Sequence, residues 1–107
     1  MWQSRCAKRK SELELCLGFR LPTVPVKATK IPDGKAPREE YITRAFEMLP
    51  NCAPFDVSGH PAITVPCGLS DGLPAGLMLI GKHFDELTLY KAASAWERGA
   101  NWKVIRP

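Results

Sequence analysis

The chain has 107 residues, 45% of them hydrophobic and 24% charged, with 10 Pro, 8 Gly and 4 Cys. That length suits one domain or a piece of a larger one, and the composition excludes a collagen-like, coiled-coil or strongly disordered chain. No apolar run approaches the roughly 20 residues of a membrane-spanning helix, and the net charge of +4 sits mainly at the head.

Residues 1–20 hold five cations against two acids, whereas residues 21–107 hold ten against nine. Arg5, Lys8, Arg9 and Lys10 have no interleaved aromatics beyond Trp2, and no nucleic-acid motif follows them. The head therefore reads as a flexible, solvated segment rather than a nucleic-acid or membrane contact. Glu12 and Glu14 stand where a secretory signal needs an apolar core, so no export signal is expected. Cys6, Cys16, Cys52 and Cys67 form no Cys-x-x-Cys pair, which predicts reduced thiols and a cytoplasmic location. Ser11–Phe19 is a short helix candidate that Gly18 stops.

From Leu21 to Pro37, four prolines and Asp33-Gly34 predict a strand end followed by a surface loop, with Val24 and Val26 at a sheet edge. Arg38–Leu49 reads as a helix: Pro37 suits its start, Glu39 and Glu40 favour the positive end, and Ile42, Ala45, Phe46 and Leu49 form an apolar stripe. Asn51–Pro61 is predicted as a loop, Ile63–Cys67 as a strand, Gly68–Ala75 as a turn and Gly76–Gly81 as a strand buried on both faces. The two strands should pair antiparallel, with Cys67 acting as a small hydrophobe. Asp85 is a plausible N-cap for a second helix, whose stripe is Leu89, Ala92, Ala93 and Trp96 and whose stop is Gly99. Strands this apolar need cover on both faces, so the pattern looks like part of a larger sheet.

Cys52, Asp56, Ser58, His60 and Cys67 contain the residue types of a nucleophile, a base and an orienting carboxylate. They lie in a Pro/Gly-rich stretch without a Gly-x-Ser-x-Gly elbow, so a histidine bonded to its own loop is the plainer reading of His60. Cys52, His60, Cys67 and His83 make a two-cysteine, two-histidine set, but without the close ligand pairs usual for zinc. Gly68, Gly72, Gly76 and Gly81 match no nucleotide fingerprint. Neither a metal nor a cofactor is expected.

Longer motifs say more. Gly59-His60-Pro61-Ala62, Val65-Pro66-Cys67-Gly68 and Gly72-Leu73-Pro74-Ala75-Gly76 follow one another, preceded by Leu21-Pro22-Thr23-Val24-Pro25 and followed by His83-Phe84-Asp85-Glu86. Together they resemble the C-terminal part of the amidase signature family. The resemblance covers residues 20–99 and leaves 1–19 as an unplaced basic head and 100–107 as a tail.

It implies an α/β fold, of which this chain is a C-terminal fragment of a mixed sheet flanked by helices. It also implies hydrolysis of carboxylic amides to carboxylate and ammonia by a Ser–Ser–Lys triad, with backbone N–H groups holding the oxyanion. In the family that triad lies upstream of the matched portion. Ser4, Ser11, Ser58, Ser70 and Ser94 include no adjacent pair, so no catalytic residue is assigned here and the chain is expected to be inactive alone. Ala53, Phe55 and Asp56 are the candidates for shaping the acyl side of a substrate pocket, with Cys52 beside them.

The implied partners are a small-molecule amide in an intact enzyme, and an upstream amidase portion or a second copy of the chain. The form of Asn51–Pro66 looks closer to the amide hydrolases than to the transamidating subunit that makes glutaminyl-tRNA. Two alternatives stand beside this reading: a non-enzymatic partner-binding module, and a fragment of that transamidating subunit.

Overall fold

The structure, a computed structural model, describes residues 19–101. Apart from Phe19, the basic head and the helix expected over Ser11–Phe19 lie outside the described residues, as does most of the tail.

Strand β1 (Phe19–Pro22) leads through an extended segment to helix α1 (Arg38–Glu47) and a one-and-a-half-turn helix α2 (Ala53–Ser58). Strands β2 (Ala62–Ser70) and β3 (Leu73–Ile80) follow, then helix α3 (Glu86–Gly99). The sheet order is β1-β3-β2, and both pairings are antiparallel.

The hairpin is longer than its sequence reading. Its turn is the pair Asp71-Gly72 alone, with φ of 53° and 78°. Two successive positive φ values match the twist of antiparallel strands, and Asp-Gly tolerates them best. Pro66 and Pro74 do not end the strands. A register shift between Pro66 and Gly68 absorbs the extra residue as a bulge.

Burial explains why β3 takes the centre. Leu77, Met78, Leu79 and Ile80 are all buried, and Leu79 is 0% exposed. Leu77 and Leu79 pack with Val65 against Leu89 and Ala93 of α3, flanked by Ile63, Cys67, Ala92 and Trp96. The expected α3 stripe therefore faces the sheet, and Cys67 joins that packing. Asp85 occupies the helix boundary, but its carboxylate accepts from the Thr88 hydroxyl (2.7 Å) rather than from a backbone N–H.

Each edge strand of the sheet carries a proline whose carbonyl is taken by a side chain. Thr23 N–H donates to the Gly76 carbonyl and Gly81 N–H to the Pro61 carbonyl. In an antiparallel ladder these bonds turn every second residue outward: Arg20 and Pro22 on β1, and Ala62, Thr64, Pro66 and, past the bulge, Leu69 on β2. The Asn51 amide donates to the Pro22 carbonyl (2.8 Å), and the Trp96 indole N–H donates to the Pro66 carbonyl (2.9 Å).

Two further expectations are corrected, and one apolar stripe is found uncovered. The stretch read as a loop contains α2, because Pro54 suits a first helical turn and Gly59, at φ 70°, supplies the left-handed cap. Val24 and Val26 lie beyond the strand, which stops at Pro22. The α1 stripe is not core: Ile42, Phe46 and Leu49 are 45%, 65% and 45% exposed. Helical periodicity reports an apolar face but not what covers it, and among the described residues nothing covers this one.

Candidate functional site

Two surfaces gather chemistry-bearing residues. The first lies where α2 runs into β2. Asn51 and Cys52, just before α2, hold the end of β1: the Asn51 amide binds Pro22, and the Cys52 thiol donates to the Thr23 carbonyl (3.2 Å). Ala53 opens α2 and Phe55 sits within it, both half-buried, while Asp56 is exposed.

Past the helix, the Ser58 hydroxyl lies 2.7 Å from His60 Nδ1, and the Ser58 carbonyl accepts from His83 Nε2 at 2.7 Å. A carbonyl only accepts, so His83 carries its proton on Nε2. The two imidazoles lie with centroids 3.8 Å apart and planes tilted by 39°, and Phe55 meets His60 edge-on at 6.4 Å. Phe84 follows at a positive φ of 62° with its ring in solvent.

This arrangement brings Ser58, His60 and His83 together and leaves the other sequence candidates apart. Among the described residues no contact joins the Asp56 carboxylate to either imidazole. The Cys52 thiol is engaged with β1, and Cys67 packs under α3. The nucleophile, base and carboxylate are thus not assembled into a relay. No group of three or more His, Cys, Asp or Glu side chains able to hold a metal occurs among the described residues. The cluster works as a clip instead, fastening the α2–β2 connection to the loop after β3.

The second surface is an open groove of about 400 Å³ between the segment after β1, the end of α1 and the turn end of the hairpin. Val24, Val26, Met48 and Leu73 supply apolar walls, and Arg44 and Glu47 lie on its α1 side. Arg44 pairs with Glu47 at 3.1 Å, and Lys27 pairs with Asp71 at the turn. The hydrogen bond from Lys27, reinforced by its positive charge, holds the Asp71 carboxyl below its ordinary value.

The sheet face beside the groove holds a contact that sequence reasoning missed. The Thr23 hydroxyl donates to the Thr64 hydroxyl (3.1 Å) across the central strand, over Gly76. A Cβ on Gly76 would stand 2.8 Å from Thr23 Oγ1 and 2.9 Å from Thr64 Cγ2. The available signal was a glycine inside a strand of large residues, which often marks a close approach.

A proline-edged antiparallel hairpin, backed by an alanine-rich helix and entered through a Gly-His-Pro-Ala turn, agrees with the motif order. Residues 19–90 match the family model described as Amidase, and the chain belongs to the amidase signature family. It is 44% identical over 78 residues to the "Uncharacterized protein in nthA 5'region" of Rhodococcus erythropolis, covering 73% of this chain and 39% of that protein. It is 44% identical to an enantioselective amidase of Rhodococcus rhodochrous, over 78% of this chain and 16% of the relative. It is 43% identical to a glutamyl-tRNA(Gln) amidotransferase subunit of Geobacillus stearothermophilus, over 80% of this chain and 17% of the relative. The chain thus spans between about a sixth and two-fifths of the length of these relatives. No helix among the described residues is long and apolar enough to cross a membrane.

Proposed function

We propose that this chain supplies the C-terminal sheet-and-helix portion of an amidase-type hydrolase, an enzyme that converts a carboxylic amide to carboxylate and ammonia. The observation that carries the reading is the family match over residues 19–90, which takes in β1, the whole hairpin and the start of α3. The three antiparallel strands form part of a larger mixed sheet, and the exposed Ile42, Phe46 and Leu49 of α1 pack against the preceding part of the domain or a second copy. Ala53, Phe55 and Asp56 shape the acyl side of the substrate pocket. The Ser–Ser–Lys machinery comes from outside the matched segment.

The reading is tested by exchange. The matching segment of the R. rhodochrous enantioselective amidase is replaced by residues 20–99, and ammonia release is followed on aliphatic and aromatic amides. The chimera should turn over while this chain alone does not, and Phe55→Ala in the chimera should raise KM more than it lowers kcat. A chimera with native-like circular dichroism and no turnover would sink the proposal. Turnover by the chain alone would move attention to Ser58 and His60.

Two other readings rest on specific observations. Identity to the amidotransferase subunit nearly equals that to the amidase, which supports a transamidating relative. The uncovered face of α1 supports a non-enzymatic module that binds a partner there.

A further inference from the structure

We propose that the groove between the segment after β1, α1 and the hairpin is a binding site for an uncharged, mainly apolar small molecule carrying one hydrogen-bonding group. It shares no lining residue with the Ala53–Asp56 surface. Its volume of about 400 Å³ falls within the range usual for small-molecule sites, and Val24, Val26, Met48 and Leu73 give it apolar walls.

Charge decides the class of ligand. The lining includes two cations, Lys27 and Arg44, and each is already paired with a carboxylate, Asp71 and Glu47. Among the described residues the lining offers no unneutralised cation to an anion, and an anionic or cationic head would lose hydration against apolar walls without a counter-charge. Ser70 and Thr29 also line the groove. Neither hydroxyl has a hydrogen-bond partner among the described residues, so each is available to a single alcohol or carbonyl.

The test uses the whole chain, methyl-labelled, titrated with benzyl alcohol, benzoate and benzylamine as congeners of one size. Benzyl alcohol should produce saturable shifts at Val24, Val26, Met48 and Leu73, with the two charged congeners binding several-fold more weakly. Glu47→Gln leaves the Arg44 guanidinium unpaired at the groove wall and should move the preference toward benzoate. Val26→Gln, checked for folding by circular dichroism, should abolish the shifts. The proposal is overturned by equal affinity for all three congeners, by shifts confined to Ile42 and Leu49, by no saturable shift up to the solubility of benzyl alcohol, or by a Glu47→Gln variant with unchanged preference.

Discussion

At Gly76 one hydrogen atom stands where any other residue carries a carbon, and that allows two threonines from flanking strands to touch across a third. Gly76→Ala should therefore destabilise the chain by about 1–3 kcal/mol, the usual cost of forcing extra volume into a packed site. Chemical denaturation measures the loss. Combining it with Thr23→Ala, which removes the Oγ1 nearest the new methyl, should recover part of the loss; strict additivity would mean that the clash is not its cause. Asp71 gives a second case. Its lowered pKa means that the pair with Lys27 helps the folded chain above the ordinary carboxylate value, and that this help fades as pH falls through the folded value. In Lys27→Ala the carboxyl should titrate at its ordinary position, which a pH series of carboxyl carbon shifts will show.

Elements differ in how plainly residues announce them. Trp96 belongs to the stripe that marks α3, but its indole N–H also reaches the outward carbonyl of Pro66 at the bulge. Trp96→Phe keeps most of the packing and removes that donor. The expected loss is about 0.5–1.5 kcal/mol, read from the denaturation midpoint. The stripe was legible because Leu89, Ala93 and Trp96 recur at helical spacing; the hydrogen bond was not, because it joins positions thirty residues apart. Likewise Asp71-Gly72 announced the turn, while Pro66 and Pro74 disguised the length of the strands. Outward-facing proline costs an antiparallel ladder no bond, so both fit. Helix α2 was hidden because Pro54 and Gly59, so often breakers, serve here as its first turn and its cap. In the candidate site, His60 and Ser58 were visible as polar residues two apart. That His83 would lie against His60 depended on the hairpin bringing two distant loops together.

The whole molecule is unevenly finished. One face of the sheet is closed by α3 around Leu79, whereas α1 turns Ile42, Phe46 and Leu49 to solvent. An apolar dye that fluoresces on binding exposed hydrocarbon should report this asymmetry. The double variant Ile42→Lys/Phe46→Lys should bind much less dye while its stability stays within about 0.5 kcal/mol, as expected of changes at a solvent-facing surface. An equal loss of dye binding and stability would show that this face is packed in solution.

The two proline-capped edges also set where another strand can join. Near the turn, Pro22 and Pro66 offer no outward N–H, and their carbonyls are occupied by Asn51 and Trp96. On β2 the outward N–H groups before the bulge are those of Ala62 and Thr64, at the end of the sheet away from Asp71-Gly72, and past the bulge that of Leu69 faces outward too. In hydrogen-exchange terms, the Ala62 and Thr64 amides should trade protons with solvent quickly in the isolated chain, while those of Ile63 and Val65 beside them are held by β3. Slowing at Ala62 and Thr64 alone therefore reports strand addition to this edge, and a helix docking on α1 leaves them fast.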